Sequence, residues 1–143
     1  MTAMFFVVLG ALLYVFVFRS QYYQSPATIR SSGDNEWLEQ GFTVAIVWPP
    51  HSAVSLVEGI QLAYEELPAD SVLYGKMKLQ FFTETEDNGA LAREIAEIPD
   101  VLAVIGHELD GPTIPASITY ESNGMLFIAP KSTDIRLTGH QFR

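Results

Sequence analysis

From Phe42 onward the apolar positions switch back and forth between two periods. Phe42–Trp48 (FTVAIVW) is a continuous apolar, β-branched run closed by Pro49-Pro50, the pattern of a short buried strand. Ala53, Leu56, Val57, Ile60, Ala63, Tyr64 and Leu67 then recur at the i, i+3, i+4, i+7 spacing of an amphipathic helix, which Ser52 can cap and Pro68 stops. Met77–Thr83 alternates, with Met77, Leu79 and Phe81 on one face and Lys78 and Gln80 on the other, which predicts a half-exposed strand near a sheet edge. A second helix begins at Asp87 or Asn88, turns Leu91, Ile95 and Ile98 inward and meets Pro99. Val101–Ile105 is again a continuous apolar strand, broken by Gly106. Thr113 can cap a third helix with Pro115 in its first turn, and Asn123-Gly124 suits its end. Met125–Ala129 reads as a fourth strand, and Pro130–Arg143 as loop and tail.

The order β-α-β-α-β-α-β predicts an α/β fold: a parallel sheet with right-handed crossovers and helices on both faces. Ligands of open α/β sheets bind at the carboxyl ends of the strands. That directs attention to three loops, Pro49–Ser52, Gly106–Pro112 and Pro130–Asp134.

The first 40 residues follow a different logic. Ala3–Phe18 contains 16 residues without a charge. A membrane span wants about 20 apolar residues, with a lower limit near 17, and counting Met1 and Thr2 this segment just reaches it. No Lys or Arg precedes the run and no Ala-x-Ala pattern follows it. Residues 1–18 are therefore read as an uncleaved transmembrane signal anchor, in competition with a cleaved signal peptide and a core helix. Tyr14, Tyr22 and Tyr23 suit membrane interfaces, while Arg19 and Arg30 on the C-terminal side favour the cytoplasm for that end. Residues 19–40 are polar, with Pro26 and Gly33, and read as a linker. Residues 41–143 form the globular part.

Charge sharpens the division. Residues 1–33 carry only Arg19 and Arg30, whereas residues 34–143 hold all 17 acidic residues against six basic ones. An acidic domain is a poor partner for nucleic acid, which needs clustered Lys and Arg. The chain has no Cys, so disulfides and thiolate metal sites are excluded. His51, His107 and His140 are scattered without metal-ligand spacing. The stretch from Gly106 to Gly111 lacks the Lys and Ser/Thr of a phosphate loop, and no G-x-S-x-G elbow or nucleophile–base pair is visible. No enzyme activity, metal or cofactor is expected.

The loops carry a family resemblance. Val104-Ile105-Gly106-His107, Thr113-x-Pro115-Ala116-Ser117, Tyr120-Glu121-x-x-Gly124, Ala129-Pro130-x-Ser132-Thr133 and Leu137-Thr138 resemble, in order and spacing, the leucine/isoleucine/valine-binding proteins. These are the branched-chain amino-acid receptors among type I periplasmic binding proteins. Gly59-x-x-x-Ala63-x-Glu65-Glu66 fits their first helix loosely. The resemblance covers residues 42–143, and on it the chain corresponds to a partial first lobe, truncated before the hinge strands and second lobe. It implies a two-lobed ancestor that closes on a small ligand and delivers it to an ABC transporter. It implies a periplasmic or extracellular globular part, against the weak arginine bias. By position it makes Asp110 and Gly111 on the third-strand loop, and Ser132 and Thr133 on the fourth, ligand-binding, with Trp48 or His51 at the rim. Where the family offers a small hydroxyl residue to a ligand carboxylate, this chain has Asp110 followed by Gly111-Pro112. Like charges repel and Pro112 has no N–H, which favours a cationic or neutral ligand, or none.

Each residue also has a plainer role. Asp110 can complement a helix dipole, and Ser132 and Thr133 can stabilise a turn. His107 reads as a structural hydrogen-bonder, His51 as a loop residue and Trp48 as half-buried packing. Glu84, Glu86 and Asp87 read as a solvated charge run. The leading function is a membrane-tethered solute-binding lobe taking a small amino-acid-like ligand, weakly or with a partner chain that supplies the missing lobe. Two alternatives stand beside it. One is an interaction or sensor module that has lost ligand binding, and the other is a truncated receptor fragment.

Overall fold

The two continuous apolar runs form the centre of the sheet, as burial on both faces demands. In the computed structural model, which describes residues 25–31, 39–50, 54–108 and 110–139, β1 (Phe42–Trp48) is buried along its whole length. It lies between β2 (Met77–Thr83) and β3 (Val101–Gly106), and β4 (Leu126–Ile128) pairs with β3 on the far side. The sheet order is β2-β1-β3-β4 and every pairing is parallel. The alternating strand, β2, is indeed an edge.

Helices cover both faces. On one, α3 (Asn88–Ala96) and α4 (Asp110–Ser122) pack Leu91, Ile95, Ala116 and Tyr120 against Val47 and Val104. Burying a side chain such as Ile95 completely is worth about 1.5–3 kcal/mol over leaving it exposed. On the other, Ile60 of α2 (Val54–Glu65) joins Phe42, Val44, Ile46, Leu79 and Ile105. This second layer is thinner. Phe81 is 45% exposed, Leu126 63% and Ile128 46%, all on this face by register.

Local chemistry explains most boundaries. Asp87 caps α3, its carboxylate accepting from the Ala90 N–H over 2.8 Å. Gly124, at φ 67°, ends α4 while Met125 N–H returns to the Tyr120 carbonyl over 3.0 Å. Gly106 adopts φ 150°, and a Cβ there would stand 2.2 Å from the Val47 carbonyl oxygen, so only glycine lets β3 lie against β1 at its end. The start of α4 corrects the sequence reading. The helix begins at Asp110, not near Thr113, which puts Pro115 inside it. Asp110-Gly111-Pro112 resembles a loop in sequence, yet a first turn needs no N–H from Pro112 and welcomes an acid at its positive end. The tail also contains a helical turn, α5 (Arg136–Gly139), where loop was expected.

Within the segment read as a polar linker, Pro26–Ser31 forms a short helix, α1, tied to the domain by Arg30. The Arg30 guanidinium donates to the carbonyls of Ile98 (2.7 Å), Val101 (2.8 Å), Ala96 (3.0 Å) and Asn123 (3.2 Å). These carbonyls lie at the C-terminal ends of α3 and α4 and at the start of β3, where a cation offsets the helix dipoles. Burial lowers the Arg30 pKa, while Glu97 and Asp100 raise it. No helix among the described residues is long and apolar enough to cross a membrane. The anchor expected over residues 1–18 lies outside the described residues, as do His51 and the Ser52 cap.

Candidate functional site

The parallel sheet sends the ends of β1, β3 and β4 to one rim, and two of the three loops meet there. Asp110, the first residue of α4, accepts hydrogen bonds at Oδ1 from the Ser132 hydroxyl and from the Thr133 N–H, the latter over 3.0 Å. Four of the six residues expected to bind ligand are thus gathered: Asp110, Gly111 beside it in the first helical turn, Ser132 and Thr133. Gly111 is exposed, and a Cβ there would meet nothing within 4 Å. Trp48, the last residue of β1, is buried at 5% exposure rather than half-buried. Lys131 brings it into the same neighbourhood. Its Nζ lies 5.6 Å from the Trp48 ring centroid and donates to Glu108 Oε1 over 2.7 Å. His51 lies outside the described residues.

Beneath this rim runs a buried polar relay. His107 and Tyr120 are both completely buried, and Glu84 retains only 10% of its side-chain exposure. Burial lowers the His107 pKa to about 4, so the ring is neutral near pH 7. An ionised carboxylate can only accept, which assigns the tautomer: Nδ1–H donates to Glu84 Oε1 (3.1 Å), and the Tyr120 hydroxyl donates to Nε2 (3.2 Å). Glu84 Oε1 also accepts the Glu108 N–H over 3.0 Å. Desolvation, followed by the charge of Glu108, raises the Glu84 pKa against the pull of that N–H. Desolvation, with the Glu84 charge behind it, raises Tyr120 as well. Through these bonds the end of β2 holds the loop leaving β3, and α4 holds it from the other side.

The relay bears out the structural reading of His107 and corrects that of its neighbours. Glu84 does not belong to a solvated charge run. It turns inward, while Glu86 stays exposed and Asp87 serves as a helix cap. Sequence reasoning also missed Lys131, Glu108 and Tyr120 as rim-organising residues. No spacing signal joins them, because Lys131 and Glu108 sit on the loops of different strands and Tyr120 reaches His107 from within α4. Next to Ser132 and Thr133 a groove of about 640 Å³ runs along the free side of β4, between Ser117 of α4 and Ile135 and Leu137 of the tail. No group of metal-ligating side chains occurs among the described residues.

Comparison with known proteins supports the resemblance carried by the loops. An ABC transporter substrate-binding protein from Desulfitobacterium hafniense is 31% identical over 71% of this chain and 32% of its own, with a TM-score of 0.63. The same statistics hold for an ABC transporter substrate-binding protein from that organism in complex with Leu. LivJ, a branched-chain amino acid transporter substrate-binding protein of Streptococcus pneumoniae solved with isoleucine, is 20% identical with a TM-score of 0.57 over the same shares. The last likeness is one of fold alone. The chain spans about a third of the length of the solved structures it matches. These neighbours are substrate-binding proteins rather than enzymes, in line with the sequence reading. No family model matches the sequence, nor does any curated protein.

Proposed function

We propose that the domain is a solute-binding lobe of the ABC-transporter receptor kind, taking a small amino-acid-like ligand at the carboxyl rim of its sheet. The supporting observation is the convergence of the β3 and β4 loops on one point, where Asp110 meets Ser132 and Thr133. Gly111 lets a ligand approach the α4 backbone, and Trp48 marks the rim on the β1 side, where the family resemblance also puts His51. A relative solved in complex with Leu makes an amino-acid-like molecule the natural first probe. Binding sites for small ligands enclose about 70–90% of the ligand surface. A single rim encloses far less, so this lobe binds weakly by itself and tightly with a partner chain supplying a facing lobe. Placement outside the cytoplasmic membrane, tethered through residues 1–18, completes the reading. Protease digestion of sealed cells tests it, and cleavage of the domain only after lysis would overturn it.

The direct test is thermal melting of the full chain with and without leucine, isoleucine and their amides. A cooperative transition raised by one of them supports the lobe as a working half-site. A cooperative transition that none of them moves transfers support to a second reading, an interaction module. That reading has its own observation. The β4 side of the sheet presents Leu126, Ile128 and, in the tail, Ile135, the last 80% exposed, and the outer edge of β4 has no partner strand among the described residues.

A further inference from the structure

The donors on the β4 loop form a set that receives a carboxylate. One hydroxyl and one backbone N–H converge on a single oxygen. In this chain the oxygen is supplied internally, by Asp110. Asp110 lies 22 and 23 residues before Ser132 and Thr133, on the loop of another strand, so no local turn preference forces the pairing. Among the described residues the hydrogen bonds of Asp110 run through Oδ1, and its carboxylate also feels the charge of Arg136. An arriving carboxylate would have to break two charge-assisted bonds and then sit against the Asp110 charge. An arriving ammonium would meet an acceptor already fixed in place.

We propose that Asp110 is the specificity-determining residue of this rim: a built-in carboxylate that keeps Ser132 and Thr133 occupied, closes the site to free carboxylates and selects small amines whose carboxyl is absent or amidated. The proposal rests on the solute-binding reading of the rim and narrows its ligand class. It predicts that leucinamide raises the melting temperature of the wild-type chain and that leucine does not.

Acetate is the probe that isolates the donor pair. In Asp110→Ala the pair is vacated. Acetate, against chloride at matched ionic strength, is expected to move the Thr133 amide resonance and raise the melting temperature. The effect should appear at a concentration about tenfold below any effect on the wild type. In Asp110→Asn the side-chain carbonyl still accepts both bonds, so acetate is expected to change nothing, and this variant carries the test if Asp110→Ala does not fold. Equal responses to acetate in wild type and Asp110→Ala overturn the proposal. So does a folded Asp110→Ala whose Thr133 amide ignores acetate, or an acetate response in Asp110→Asn. Leucine stabilising the wild type as strongly as leucinamide overturns it as well. If acetate behaves as expected and neither leucinamide nor leucine moves the wild type, Asp110 keeps its role as the internal carboxylate and the solute-binding reading is what fails.

Discussion

Acid should destabilise this domain in a window set by His107. In the unfolded chain the imidazole takes up its proton near pH 6.5, and in the folded chain, buried, only near pH 4. Between those values the unfolded state binds more protons than the folded one. Stability therefore falls as pH drops through the window, and the loss is complete below its lower edge. The separation of the two values corresponds to about 3 kcal/mol, a large share of the about 5–15 kcal/mol that holds a domain folded. Other groups act elsewhere or in the opposite sense. Glu84, raised in the folded state, contributes stability below its unfolded value of 4.5 that is lost as pH rises through its folded value, so inside the window it works against the His107 slope. Asp134, held at about 2 by its hydrogen bonds from Arg136, titrates below the window. Urea unfolding of the full chain in steps from about pH 7 to about pH 4 measures the slope directly. His107→Asn removes the titration while leaving an amide to donate to Glu84. That variant is expected to be less stable at neutral pH and nearly flat across the window. A wild-type profile that is also flat, or a variant that keeps the wild-type slope, would refute the reasoning.

Two further perturbations test the architecture. Arg30→Ala strips four carbonyls of their donor; with hydrogen bonds to charged groups worth about 1.5–3 kcal/mol and partial replacement by water, a net loss of about 2–4 kcal/mol is expected. Arg30→Lys, with a point charge and no fork, should recover only part of the loss in the melting temperature. Gly106→Ala drives a Cβ into the Val47 carbonyl at a left-handed φ and should cost about 3 kcal/mol or more, seen as loss of a cooperative melt or a strongly lowered midpoint.

The sheet was legible because burial writes itself into short sequence windows. Phe42–Trp48 and Val101–Ile105 are apolar at every position because both their faces are covered, and Met77–Thr83 alternates because it is an edge. Caps such as Asp87 and stops such as Gly124 are equally local. The site was legible as a set of loops but not as a set of bonds. Asp110 was separable as a residue, yet its pairing with Ser132 and Thr133 depends on how two loops of different strands are set side by side. Glu84 has the same explanation: its sequence neighbours Glu86 and Asp87 face water, and only the placement of His107 just past the end of β3, across β1, turns it inward. The docking of Arg30 has no sequence signature at all, because its partners are backbone carbonyls.

That docking decides how the domain is held. The carbonyls grasped by Arg30 sit where strands begin, and the rim lies where strands end. The short helix α1 is therefore docked at the foot of the domain, on the side opposite the rim. A pull on α1 meets resistance at Arg30. It loads four hydrogen bonds at once and passes through them to two helix ends and the root of a central strand. The domain behaves less like a bead on a string than like a cup fixed by its stem.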